Sequence, residues 1–221
     1  MNQRPLALAP LLIAPLALGL AACASTPDLP ALPPSQEAFW SALESHCNDS
    51  GGGNAYAGSL ASSDERDADM AGKAMLAHWA ECSPTRIAVA FHIADSSAPG
   101  GWDRSRTWVI TRTGDGLRLK HDHRHADGSE DEVTQYGGDT LSSGTARVQD
   151  FPVDAYSIAM FERLGMDVST TNVWRAEVDP AGTRGARFAY QLTRRNDPTR
   201  LFRVEFDASR PVAPPPPAWG W

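Results

Sequence analysis

The sequence has few cysteines, no excess of basic residues and no long stretch without hydrophobic residues. It contains 3 Cys among 221 residues, and its 20 Lys+Arg are outnumbered by 27 Asp+Glu, which gives a formal net charge of −7. Because binding to a phosphate backbone needs a basic surface, this balance argues against nucleic acid as a partner. A hydrophobic fraction of 42% excludes a disordered chain and indicates a single globular domain.

Signature motifs of several enzyme classes are also missing. The sequence has no Gly-x-Ser-x-Gly, no His-Glu-x-x-His, no phosphate-binding glycine loop and no dinucleotide-binding fingerprint. The motifs therefore assign the protein to no enzyme class. The sequence does not decide whether the protein is an enzyme, and it favours a protein that is not one.

The N-terminus has the pattern of a secretion signal. One positive charge, at Arg4, precedes an apolar segment over 6–20 that is too short for a membrane span. The segment leads into the sequence LAAC, which resembles the lipobox of bacterial lipoproteins. The resemblance implies that 1–22 is a lipoprotein signal peptide and that Cys23 is lipidated. Because Ala24 rather than Asp follows, it also implies anchoring in the outer membrane, facing the periplasm. The alternative is a soluble secreted protein.

Proline-rich segments flank the expected domain. The segment 23–35 contains four prolines and no hydrophobic periodicity, which predicts an extended tether. The segment 211–221 combines a run of prolines with Trp219 and Trp221, which predicts a polyproline II tail. This tail is either disordered or docked, on the domain itself or on a partner. A single β-rich domain is expected over 36–210.

The two remaining cysteines predict a disulfide. Because the periplasm is oxidising, Cys47 and Cys82 are expected to pair. Closing the loop between them would stabilise the fold by about 3–4 kcal/mol in the chain-entropy model. The alternative is a catalytic thiol next to His46, which the export signal and the second cysteine disfavour.

The hydrophobic pattern of the domain is mostly that of antiparallel strands. A first helix is predicted with Ser35 as its N-cap, and a second, short helix over 154–164 with Asp154 as its N-cap. Alternating segments predict strands over 86–94, 106–113, 117–125, 132–136, 172–178, 187–193 and 201–207. Roughly eight to ten short strands of this kind are typical of a mostly β fold, either a barrel-like (calycin-like) sheet or a sandwich.

Three histidines alternate along one predicted strand. His121, His123 and His125 share a strand face with Leu117 and Leu119, so that they are expected to point toward the core near one end of the barrel. Neighbouring histidines on one face are about 6.7 Å apart, and two of them with a ligand from elsewhere could bind zinc or copper. The alternative is a ladder of histidines that hydrogen-bond to cross-strand Thr, Tyr and Asp side chains.

The middle of the chain resembles a known group of proteins. The segments 103–108 (DRSRTW), 117–125 (LRLKHDHRH) and 136–138 (YGG) resemble a family of proteobacterial secreted proteins and lipoproteins. That family has no established function, so the resemblance implies no activity, fold or site.

The residues leave three functions open. The first is a small-ligand-binding or accessory protein of the envelope, in which Trp108, Tyr136 and Tyr190 contact the ligand. The second is a metal-binding protein or a metal-dependent hydrolase that uses two of the three histidines. The third is a structural protein whose C-terminal tail binds an envelope partner. For the inward aromatic residues, the alternative to a pocket is a filled core.

Overall fold

The computed structural model describes Met1 and residues 31–221. Apart from Met1, the predicted signal peptide 1–22 lies outside this part of the chain, as do the lipidation site Cys23 and most of the predicted tether. Within the described part, no helix is both long enough and apolar enough to cross a bilayer.

Ten strands form one antiparallel sheet, as the alternating pattern predicts. They are β1 Ala55–Leu60, β2 Met75–Cys82, β3 Arg86–Ala94, β4 Trp102–Thr113, β5 Gly116–His123, β6 Tyr136–Asp139, β7 Val148–Pro152, β8 Asn172–Val178, β9 Arg187–Arg194 and β10 Asp197–Val212. Their order in the sheet is β6-β5-β4-β3-β2-β1-β10-β9-β8-β7, which gives a nearly closed barrel. The expected mostly β fold is confirmed, and of its two forms the barrel is the one observed.

Helix α1, Pro34–Glu44, covers one end of the barrel. Leu43 is fully buried there, and its carbonyl accepts a hydrogen bond from the Trp79 indole at 3.0 Å. The prediction that Ser35 is the N-cap is wrong, because its hydroxyl donates to the Ser143 carbonyl instead. Pro34 occupies the first helical position, where the missing N–H costs no intrahelical hydrogen bond.

The predicted disulfide is present beside this helix. Cys47 and Cys82 join the turn after α1 to the end of β2, with their Cα atoms 6.0 Å apart. His46 hydrogen-bonds through one ring nitrogen to the Tyr56 hydroxyl at 2.7 Å and through the other to the Asp179 carbonyl at 2.8 Å. The alternative of a free thiol activated by His46 is therefore not observed.

Helix α2, Ala155–Arg163, lies beside the gap between the edge strands β6 and β7. Asp154 caps it as predicted, since its carboxylate accepts a hydrogen bond from the Ser157 N–H at 2.8 Å. The Ser157 hydroxyl donates to a carbonyl of β6. The two edges approach so closely that a Cβ at Gly138 would overlap the Pro152 carbonyl oxygen. Glycine at this position allows the barrel to close almost completely.

The predicted strand 132–136 is not formed. The Asp131 carboxylate accepts a hydrogen bond from the Val133 N–H at 2.7 Å, and Gln135 has a positive φ of 57°. The backbone therefore turns before β6 begins at Tyr136. Strands β1, β2 and β7 lie outside the predicted strand segments, because each includes small, helix-forming or proline residues that weaken the alternating pattern.

The C-terminal tail is docked on the outside of the barrel. The His92 Nε2–H donates to the Pro216 carbonyl at 3.1 Å, and the Trp221 indole N–H donates to the Asp122 carboxylate at 3.0 Å. The tail thereby covers the outer faces of β3, β4 and β5. Of the alternatives for this segment, docking on its own domain is the one observed, and binding of an envelope partner stays a prediction.

Candidate functional site

The end of the barrel opposite α1 contains a cavity of about 220 Å³. Inward side chains near α1, such as Trp79 and Leu117, are fully buried, whereas at this end the inward side chains leave open space between them. Seven aromatic side chains form a large part of the wall: Phe91, Trp108, Tyr136, Phe161, Trp174, Tyr190 and Phe202. An apolar wall with a few polar groups is the usual composition of a site for a small organic ligand.

The three residues predicted to contact a ligand all line this cavity. Trp108 on β4 and Tyr190 on β9 face each other across the barrel, with their rings stacked at 4.3 Å between centroids. Tyr136, at the start of β6, stacks on His121 at the same centroid distance. The strand alternation therefore directs these side chains inward as expected, and ligand contact at them stays a prediction.

The three predicted metal ligands occupy different environments. His121 and His123 line the cavity, while His125 lies beyond the end of β5 and is exposed. The His121 Nδ1–H donates to the Tyr136 carbonyl at 3.0 Å, since a carbonyl can only accept, and its Nε2 accepts from the Tyr190 hydroxyl at 2.6 Å. The His123 Nε2 lies 3.2 Å from the Tyr136 hydroxyl. This arrangement is the hydrogen-bonded ladder that was the alternative to a metal site.

Zinc or copper binding receives no support from this geometry. Among residues 31–221, no three His, Cys, Asp or Glu side chains come together as a metal-binding group. Both ring nitrogens of His121 already hold hydrogen bonds, and the strand ends before His125. The predicted ligands are therefore not brought together, and a metal site at His121, His123 and His125 stays a prediction.

Burial keeps the histidines and tyrosines of the cavity uncharged at neutral pH. It lowers the pKa of His121 to about 3 and that of His123 to about 4. It also raises the pKa of Tyr136 to about 12 and the pKa of Tyr190 well above its ordinary value. Desolvation is the main cause in all four cases, because a low-dielectric surrounding disfavours the charged form. The imidazoles and phenols are thus hydrogen-bonding groups inside an apolar wall.

Charged side chains are confined to the mouth of the cavity. The 3₁₀ turn Glu65–Met70, between β1 and β2, brings Asp67 to the rim, where it pairs with Arg200 of β10 at 2.8 Å. Arg194, the last residue of β9, also lines the cavity. Sequence reasoning missed all three. The two arginines continue the inward alternation of their strands and could have been found, whereas Asp67 lies in a loop without a pattern.

Comparison with known proteins gives no match. No protein-family model matches the sequence, and no curated protein and no solved structure is detectably similar to the chain. The resemblance to proteobacterial secreted proteins and lipoproteins therefore stays a prediction.

Proposed function

We propose that this protein is a lipid-anchored envelope lipoprotein that binds a small, largely apolar molecule in the open end of its barrel. The observation that carries the proposal is the cavity of about 220 Å³ with an aromatic wall. Protein interiors are close-packed, so an open space among these side chains forgoes favourable contacts. A ligand that fills the gap restores those contacts.

The polar groups of the cavity fit a binding role. The Tyr190 hydroxyl donates to the His121 Nε2, and the His121 Nδ1–H donates to the Tyr136 carbonyl. These hydrogen bonds fix the His121 and Tyr190 rings against the wall. The disulfide and α1 stabilise the opposite end of the barrel, away from the mouth. A rigid barrel with one accessible end holds the site open without requiring a large movement on binding.

The cavity is tested by filling it. Val133 lines the cavity, and Val133→Trp should occupy the space that a ligand needs. The matched control is Val168→Trp, at an exposed position in the 3₁₀ turn Asp167–Ser169 that follows α2. Indole is a suitable neutral probe, and its binding to the whole mature protein is measured by equilibrium dialysis with detergent in both chambers.

We expect saturable indole binding, roughly in the micromolar to millimolar range for so small a ligand, in the wild type and in Val168→Trp. Binding should fall below detection in Val133→Trp. Equal uptake by all three proteins, or no saturable uptake by the wild type, would contradict the proposal.

The lipid anchor is tested separately at Cys23. Acyl chains on this residue would hold the protein at the membrane, since each buried methylene contributes about 0.8 kcal/mol. We expect Cys23→Ser to release the protein to the soluble periplasmic fraction, while Ser25→Ala stays with the membrane. Continued membrane fractionation of Cys23→Ser would refute the anchor.

A further inference from the structure

Three guanidinium groups line the mouth of the cavity, and two of them are already neutralised. Arg106 pairs with Asp103 of the same strand. Arg200 pairs with Asp67 through two hydrogen bonds and also reaches Asp64 at 3.0 Å. These two charges are therefore balanced by carboxylates of the protein itself.

Arg194 is different. Its Nε–H donates to the Asn172 Oδ1 at 3.0 Å, which fixes the plane of the guanidinium group. Within the described part of the chain, no carboxylate forms an ion pair with Arg194, so that its two Nη groups have no acidic partner. An unpaired, half-buried cation beside an apolar wall is a favourable place for an anion.

Burial and the neighbouring charges also favour an anion beside Arg194. Burial lowers the pKa of its guanidinium group, and the nearby charges of Arg200 and Arg66 lower it further, against the opposing effect of Asp197 and Asp64. Arginine nevertheless remains charged in proteins. An anionic ligand would offset the repulsion that the group experiences among the other arginines.

The position of Arg194 also defines the shape of the ligand. Tyr190, Leu192 and Arg194 alternate along β9 and all line the cavity. The apolar wall therefore runs from the stacked rings in the middle of the barrel to the one guanidinium group of the cavity lining that has no carboxylate partner in the described chain, that of Arg194. An engineered cavity of about 150 Å³ holds benzene, so a cavity of about 220 Å³ has room for one ring and a short substituent.

We propose that the cavity binds a small aromatic carboxylate, with its ring in the open space between the aromatic side chains and its carboxylate on the two Nη groups of Arg194. This inference rests on the proposed function and specifies the class of ligand. The planar guanidinium group matches a carboxylate through two parallel hydrogen bonds, which a neutral amide cannot reproduce.

The test compares two probes of the same shape and different charge. Phenylacetate carries the carboxylate, and phenylacetamide replaces it with a neutral amide. Binding of both to the whole mature protein is measured by equilibrium dialysis with detergent in both chambers. Arg194→Met removes the charge and keeps the length of the side chain, and Arg195→Met makes the same change at the exposed neighbouring position.

We expect the wild type to bind phenylacetate at least about tenfold more tightly than phenylacetamide. Arg194→Met should lose about ten- to a hundredfold in affinity for phenylacetate, the range expected for hydrogen bonds to a charged group, and should bind phenylacetamide as the wild type does. Arg195→Met should leave both affinities unchanged. If Arg194→Met fails to fold, Arg194→Lys provides the measurement, since it keeps the charge without the planar fork and should give an intermediate loss.

The outcomes separate this inference from the proposed function. Equal binding of the two probes by the wild type would overturn recognition of the carboxylate and leave the apolar site intact. An equal loss of phenylacetate binding in Arg194→Met and Arg195→Met would overturn the specific role of Arg194. Failure of the wild type to bind either probe, while it still binds indole, would overturn this inference alone, and failure to bind indole as well would overturn both proposals.

Discussion

Moderate acid should destabilise this protein because several of its histidines are buried in the neutral form. Burial lowers the pKa of His121 to about 3 and the pKa values of His92 and His123 to about 4. In the unfolded chain the same groups titrate near 6.5. The unfolded state therefore binds more protons than the folded state once the pH falls below 6.5, and the stability that is complete above that value is progressively lost.

The size of the loss follows from these values. At about pH 5.5, each histidine whose folded-state pKa is about 4 or lower contributes a loss of about 1 to 2 kcal/mol relative to about pH 8. The three histidines together give about 4 kcal/mol, a large part of the total stability of an ordinary domain. Burial also lowers the pKa values of His46 and His78, which act in the same direction.

This pH range isolates the histidines from the carboxyl groups. Asp103 and Asp154 have lowered pKa values in the folded state, so their contribution to stability is lost only as the pH falls through their ordinary value of 3.8. Urea unfolding followed by tryptophan fluorescence, at about pH 8 and about pH 5.5, measures the difference directly.

Single substitutions refine the test. His92→Gln should remove about a third of the pH-dependent loss that the three histidines cause, because one buried neutral imidazole is gone. His125→Gln, at an exposed position, is the matched control and should follow the wild-type curve. An unchanged free energy of unfolding between the two pH values would refute the argument that these histidines are held neutral by burial.

Two further predictions concern the hydrogen bonds and the disulfide. Tyr190→Phe should lower the free energy of unfolding by about 1–3 kcal/mol, because the buried Nε2 of His121 loses its donor, while Tyr156→Phe at an exposed position should have no effect. A loss of the same size in both variants would contradict this explanation. The double variant Cys47→Ser/Cys82→Ser should lose about 3–4 kcal/mol in urea unfolding under non-reducing conditions. A double variant as stable as the wild type would show that the loop closure contributes nothing.

The alternating hydrophobic pattern predicted most of the fold. Segments 86–94 and 172–178 match β3 and β8 at both ends, because apolar inward residues recur at every second position through most of each segment. The same periodicity directed Trp108 and His121 into the interior, since a strand reverses its side chains at every residue. The predicted capping of α2 by Asp154 was correct for a similarly local reason, as its carboxylate meets an N–H three residues away.

Long-range contacts decided what the local pattern could not. The sequence left a barrel and a sandwich equally open, because both need the same alternation and differ only in which strands pair. The pairing of β1 with β10 and the close approach of Gly138 to Pro152 are what make the sheet nearly closed. Ser35 has the residue type of an N-cap, yet a contact with a distant loop at Ser143 occupies its hydroxyl.

The same distinction holds for the candidate site. The sequence by itself determined that His121 and His123 point inward, that two cysteines pair, and that Tyr190 faces the core, because these follow from periodicity and from cysteine count. Only the tertiary structure decided that Tyr190 hydrogen-bonds His121 across the barrel. It also decided that Asp67 pairs with Arg200 while Arg194 meets no acid in the described chain. Whether a charge is neutralised depends on which distant segments fold against it. The hydrophobic pattern of the sequence does not specify the distances between such segments.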